Sequence, residues 1–170
     1  GENITGCSPR AIIRKGVSMS FIPEDRLGMG LVASMDIADN ALLKDYAFQP
    51  GIVLKSASVR EKARQIVKDL EINTPSIFHP VRKLSGGNIQ KVILGREIRL
   101  NPKLLITAYA VRGLDIHSSY TIYDLLNEQK EKGVAILYIG EDLDVLMELC
   151  DRIMVLCAGE ITGIVDARST

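Results

Sequence analysis

A chain of 170 residues with 46% hydrophobic side chains is of single-domain length and can fill one core. Its 21 basic residues balance 21 acidic ones, and a net charge of zero argues against a nucleic-acid partner held by phosphate contacts. Cys7, Cys150 and Cys157 form no CxxC pair, and His79 and His117 have no ligand spacing with them. No apolar run reaches the ~18 residues of a membrane span, so reduced thiols, no metal centre and no transmembrane segment are expected.

In chain order, Glu2–Thr5 is expected to be a strand end. Ser8-Pro9 supplies an N-cap and a first helical residue for a short helix, Pro9–Lys15, which Gly16 stops. Val17–Ile22 is an apolar run of strand length ended by Pro23. Gly28-Met29-Gly30 lacks a third glycine at the dinucleotide spacing and reads as a flexible loop. The stretch Ser34–Lys83 differs in character. Asn40–Leu43 suggests a short helix, Gln49-Pro50-Gly51 a turn, and Ser58–Glu71 an amphipathic helix. In that helix Val59, Ala63, Ile66, Val67 and Leu70 share one face, and Glu61, Lys62, Arg64 and Lys68 form the solvated one.

Leu84-Ser85-Gly86-Gly87-Asn88-Ile89-Gln90-Lys91 follows as a loop-to-helix junction, with Ser85 at the N-cap and Ile89, Val92 and Ile93 opening the apolar period. Two glycines let a ligand approach the backbone, and the first N–H groups of a helix are unpaired and partly positive, which suits a phosphate. An ordinary capped helix explains the same spacing. Lys91 and Arg96 are candidate phosphate ligands, but the default for both on a helix is a solvated face. Beyond the break at Pro102, Leu104–Thr107 reads as a buried strand and Ser118–Lys132 as a helix stopped by Gly133. Val134–Ile139 reads as a strand, Asp142–Leu149 as a helix and Ile153–Cys157 as a strand. Ala158-Gly159-Glu160 turns the chain into Ile161–Val165. Helices alternating with all-apolar strands give an α/β domain with a mostly parallel sheet.

Several of these stretches together resemble the ATP-binding cassette (ABC) ATPases. LSGGNIQK (Leu84–Lys91) is similar to their signature motif, IPEDR (Ile22–Arg26) to the Q-loop region and RGLD (Arg112–Asp115) to the D-loop. EDLD (Glu141–Asp144) is similar to the switch region, and DRIMVLCAGEITG (Asp151–Gly163) to the closing strand pair. The Asn-Lys variant of the signature resembles the second, C-terminal cassette of tandem-cassette importers for ribose, galactose and nucleosides. The resemblance implies an incomplete P-loop NTPase (ABC cassette) fold with an α/β core, 1–33 and 84–170, and a helical subdomain, 34–83, that docks on a membrane permease. It also implies a cytoplasmic protein peripheral to the inner face of the cell membrane.

No GxxxxGK[ST] motif is present. In the family that motif would precede Gly1, so the chain is expected to be a partial cassette starting after the P-loop. Counting back from Arg112-Gly113-Leu114-Asp115, the metal-organising acid and the base fall on Ala108 and Tyr109. Alanine cannot hold a magnesium shell, and tyrosine is a poor base near neutral pH. Glu141 stands at the switch histidine position and Glu24 at the Q-loop glutamine position. Asp115 and Asp142 read as structural acids and Tyr109 as a packing residue. The resemblance therefore implies an intact signature beside a degenerate motor. Ser85, Gly86, Gly87 and Asn88 would complete an ATP site whose P-loop belongs to the first cassette of the same parent protein. Gly113 and Asp115, with Arg112, would couple the two sites. ATP and Mg2+ are expected in the whole transporter, with neither held tightly by this chain alone. The family's P-loop strand lies between the strands matching Val134–Ile139 and Ile153–Cys157. Without it, local repacking or self-association through unpaired edges is expected. The alternative is a non-catalytic dimerisation or docking module without nucleotide contact.

Overall fold

The structure is a computed structural model and describes residues 2–45 and 56–168, so the expected turn at Gln49-Pro50-Gly51 lies outside the described residues. The first helix forms where its signals stand. Ser8 Oγ caps α1 (Pro9–Arg14) by accepting from Ala11 N at 3.3 Å, and Gly16 ends it in the left-handed region. Glu2–Thr5 is not a strand. Asn3 Oδ1 accepts from Thr5 N at 2.9 Å and turns the backbone there.

Three parallel strands follow the apolar runs: β1 (Met19–Ile22), β2 (Leu104–Ala108) and β3 (Ala135–Ile139), in the order β1-β2-β3. Met19 pairs with Leu104, and Leu104 with Ala135. Between β1 and β2 come α2 (Ile37–Asp45), α3 (Ser56–Asp69) and α4 (Gly86–Ile98). Helix α2 starts earlier than expected because Asp36 Oδ1 accepts from Asp39 N at 2.7 Å. Helix α3 buries Val59, Ala63 and Ile66 and ends before Glu71, whose φ is +48°. Between β2 and β3 runs α5 (Ile116–Glu131), and α6 (Leu143–Leu149) follows β3.

Helix α4 is the pillar of the core. Ile89, Gln90, Val92, Ile93, Leu94, Arg96 and Glu97 are all buried, which leaves it no solvated side along this stretch. It packs against α3, α5 and β1. At Gly95 an added Cβ would sit 2.7 Å from Ile66 Cγ2 and Leu70 Cδ1, so the crossing with α3 depends on the missing side chain. Arg96 is not on a solvated face. Its Nη2 donates to Glu97 Oε1 at 2.7 Å and to Gly30 O at 2.8 Å. Glu97 is 0% exposed and also meets Lys44 Nζ at 3.3 Å. Gly28-Met29-Gly30 is likewise no open loop. Asp25 caps a π-turn over Arg26–Gly30, accepting from Gly28 N at 2.8 Å, and buries Gly30 beneath Arg96.

One face of the three-stranded sheet packs on this core through Ser20, Ile22, Leu105 and Thr107. The register puts Met19, Leu104 and Ala135 on the other face, with Phe21, Ile106 and Leu137 beside them, and Ala108 and Ile139 at the end. That face is entirely apolar and substantially exposed, with Met19 at 56% and Leu137 at 45%. Parallel sheets are normally covered on both sides. The last two strands, β4 (Arg152–Cys157) and β5 (Glu160–Asp166), form a separate antiparallel hairpin turned by Ala158 and Gly159, both at positive φ. β3 and β4 are not paired with each other, and the mostly parallel character is confined to β1–β3.

The buried charge cluster gives a direct check. Glu97→Ala leaves the Arg96 guanidinium buried without its counter-charge and is expected to cost about 3–5 kcal/mol, measured as a lower urea midpoint with unchanged slope.

Candidate functional site

The N-terminus of α4 projects between the turn after β1 and the loop after β2. Ser85 is extended and exposed. Its Oγ accepts from Asn88 N at 3.4 Å and from Asn88 Nδ2 at 3.0 Å, which leaves the hydroxyl proton to be donated outward. The Gly86 and Gly87 N–H groups find no acceptor among the described residues, as the first turn of a helix dictates. Two N–H groups, a hydroxyl donor and the positive end of a helix dipole form a donor set suited to a phosphate. Asn88 turns sideways, and its Oδ1 accepts from Asn73 N at 3.1 Å.

The loop Arg112–Asp115 backs this tip. Asp115 caps α5, accepting from Ser118 N at 2.9 Å and from Ser118 Oγ at 2.7 Å. The Ser118 hydroxyl, then its amide, hold the Asp115 carboxyl below its ordinary value. A Cβ on Gly87 would lie 2.5 Å from Ser118 Oγ, so this glycine lets α4 seat on the cap of α5. Gly113, exposed and at φ +68°, forms the turn of the loop.

Glu24, Tyr109 and Glu141 all lie just beyond the carboxyl ends of β1, β2 and β3, and Ala108 is the last residue of β2. This edge is where open α/β sheets bind ligands. Tyr109 sits at φ +50°. Its N donates to Ile139 O at 2.9 Å, and its ring lies 5.7 Å from the Arg112 guanidinium carbon. Its contacts are packing contacts. Glu141 is exposed and precedes Asp142, whose Oδ1 caps α6 through Asp144 N and Val145 N. Ala108 brings only a methyl group, and among the described residues no cluster of three acidic, His or Cys side chains could hold a metal. Of the candidate ligands, Lys91 is half-buried on α4, while Arg96 is spent on Glu97 and Gly30 at the far end of that helix.

Sequence reading singled out Glu24 and Arg112 but missed Arg26, Gln90 and the contacts that join these segments. Arg112 Nη1 donates to Glu24 Oε1 at 2.6 Å. Arg26 Nε donates to Gln90 Oε1 at 2.9 Å, and Arg26 Nη2 donates to the Arg112 carbonyl. Burial lowers the Arg26 guanidinium from its ordinary value, against the opposing pull of Glu24. The one available signal was Gln90, a polar residue placed between Ile89 and Val92.

The fold and the capped, glycine-lined tip define a class: the chain has the fold of an ATP-binding cassette. It superposes with TM-score 0.78 and 21% identity on the ATP-binding cassette MJ0796 in a dimeric post-hydrolysis state bound to ADP and Pi. That match covers 96% of this chain and 69% of that one. With cbiO1 from Clostridium perfringens, part of the ABC transporter complex cbiONQ, the TM-score is 0.72 at 21% identity, covering 95% and 62%. No protein-family model matches the chain.

In sequence, the relatives are ATP-binding proteins of importers. The chain is 38% identical over its whole length to 34% of the guanosine import ATP-binding protein NupO of Bacillus subtilis (strain 168). Over 85% of its length it is 40% identical to 29% of the xylose import ATP-binding protein XylG of Moorella thermoacetica. Over 96% of its length it is 34% identical to 33% of the ribose import ATP-binding protein RbsA 1 of Rubrobacter xylanophilus. The chain thus spans about a third of the length of the curated relatives it matches. Among the described residues no helix is long and apolar enough to cross a membrane.

The Asp115 cap carries a pH prediction. Its folded value is depressed, so its contribution to stability is complete above the ordinary carboxylate value of 3.8 and is lost as pH falls through the lower folded value. Ser118→Ala removes the largest cause. The Asp115 midpoint in a carbon-13 NMR titration is expected to rise toward 3.8, and the first turn of α5 to fray at a correspondingly higher pH.

Proposed function

We propose that this chain supplies the signature half of an ATP site in the ATP-binding subunit of a sugar or nucleoside ABC importer. The observation that carries the reading is the tip of α4. Ser85 is held as a cap whose hydroxyl accepts twice from Asn88 and keeps its own proton free to donate, and the Gly86 and Gly87 N–H groups have no partner among the described residues. That donor set fits the terminal phosphate of a nucleotide presented by another cassette. It does not fit the metal. The position expected to hold Mg2+ is Ala108, and the base and switch positions are Tyr109 and Glu141. ATP and Mg2+ would therefore be brought by a P-loop on the partner, the first cassette of the same parent protein, and would not bind tightly to this chain alone. Glu24 occupies the Q-loop position, and Arg112, Gly113 and Asp115 carry the coupling between sites. The helices α2 and α3 belong to the subdomain that meets transmembrane permease subunits at the inner face of the membrane, and no nucleic acid is involved.

Ser85→Arg in the whole importer protein places a long cation where the phosphate would close. It is expected to lower ATPase turnover by roughly 100-fold or more. Near-normal turnover would overturn the reading.

The alternative, a docking module without nucleotide contact, draws on a different observation, the bare apolar face of β1–β3 and the unpaired edges of β3 and β4. Such surfaces recruit other chains. The isolated chain is expected to sediment as a dimer or larger species, and Leu137→Lys together with Ile139→Lys to return it toward monomer. A wild-type chain that remains monomeric at high concentration would remove the self-association.

A further inference from the structure

Gln90 is 1% exposed, and its amide is half satisfied. Oε1 accepts from Arg26 Nε at 2.9 Å, while the equally buried Nε2 has no hydrogen-bond partner among the described residues. Turning the amide over would set two donors against each other and orphan the oxygen as well, so Arg26 fixes its orientation. An apolar side chain of the same volume would remove the stranded Nε2 donor but would leave Arg26 Nε without its acceptor. What the glutamine contributes here is that acceptor, and with it a hold on Arg26.

The held guanidinium spans three segments. Nε reaches α4, Nη2 donates to the Arg112 carbonyl, and Nη1 lies 3.4 Å from where a Cβ on Gly86 would stand, directly over the signature backbone. Leu114 Cδ2 approaches that same position at 3.5 Å. Arg112 completes the circuit back to the turn after β1 through Glu24. For the 112–115 loop to move away from α4, it must break the Arg26–Arg112 bond.

We propose that Arg26, oriented by Gln90, is a positioning residue that locks the 112–115 loop to the first turns of α4, so that loop and signature move onto a phosphate as one body. The inference rests on the reading of the signature as half of an ATP site and names what keeps that half in register with the coupling loop. The planar fork of arginine is required. A lysine in its place offers one compact ammonium and cannot address α4 and the loop in two fixed directions.

The test is amide hydrogen exchange and thermal melting on the full chain, comparing wild type, Arg26→Lys, Gln90→Met, the double variant and Gln90→Glu. The reporting amides are Arg112 N and Leu114 N, which donate to Tyr109 O at 3.1 Å and Val111 O at 3.0 Å. Each of the first two variants is expected to exchange about fivefold faster or more at these amides. The double variant should be no faster than the faster single. Gln90→Glu, which keeps the acceptor, should exchange as wild type does. Thermal melting checks that Gln90→Met stays folded at the exchange temperature, so that its faster loop exchange is local. Unchanged loop exchange, additive effects, or failure of Gln90→Glu to preserve the wild-type rate would each overturn the proposal. The Ser85→Arg measurement reads the half-site separately. Normal turnover there with coupled exchange here discards the half-site and leaves the coupling. Lost turnover there with uncoupled exchange here discards the coupling alone.

Discussion

A carboxylate with no access to solvent anchors this fold. Glu97 grips Arg96 and Lys44, and its backbone carbonyl accepts from the buried Ser20 hydroxyl at 3.1 Å. Arg96 in turn reaches the Gly30 carbonyl. Through one pair of neighbouring residues α4 is therefore tied to β1, to the turn that follows it and to α2. Burying charge on this scale is tolerable only when each group finds partners. The consequence for the site is mechanical. With its C-terminal end fixed in three directions, α4 can present its N-terminal end at a defined place beyond the sheet.

What is presented there is asymmetric. The tip of α4 offers donors and the carboxyl edge of the sheet offers few acceptors of use to a metal, since β2 ends in Ala108 and Tyr109. A strand end that binds Mg2+ needs oxygen ligands at fixed separations. Here the same positions are occupied by a methyl group and by a ring lying beside Arg112. The stabilising contacts at this edge are thus made among the chain's own loops, through Glu24, Arg26 and Arg112, while the Gly86 and Gly87 N–H groups beside Ser85 are left without an acceptor among the described residues.

Most of the fold was legible because its signals are local. The Ser8-Pro9 and Ser85-Gly86-Gly87 caps, the continuous apolar strands and the stops at Gly16 and Gly133 depend on residues within a turn or two of each other, and each element lies within a few residues of its expected place. The misreadings have several causes. Arg96, and the Gly28–Gly30 segment that Arg96 covers, looked solvated because a guanidinium and two glycines usually are; the long-range Arg96–Gly30 contact and the Asp25 cap reversed both, and at Glu2–Thr5 the Asn3 side chain turns the backbone. The Asp36 and Asp115 caps shifted two helix starts for a subtler reason: an acid one residue before an apolar helix is also a common loop residue. Of the site, the signature stretch could be read directly. The Arg26–Gln90–Arg112 connection could not, because its members lie far apart in sequence and meet only when β1 and β2 pair.

That pairing also governs how the chain is made. Met19 lies beside Leu104, so β1 emerges from the ribosome long before its hydrogen-bonding partner exists. Through all of that interval its backbone groups and the side chains of Met19 and Phe21 have nothing to close against, and the entropy of the intervening loop must be met before the parallel contact returns anything. What can form early is local: α2 and α3, each near its neighbour in sequence, and later the β4–β5 hairpin with its two-residue turn. Synthesis from the N-terminus thus leaves a waiting strand as the most exposed and adhesive part of the nascent chain. The arrival of β2 closes the backbone of β1, while the side chains of Met19 and Phe21 stay on the exposed face of the sheet.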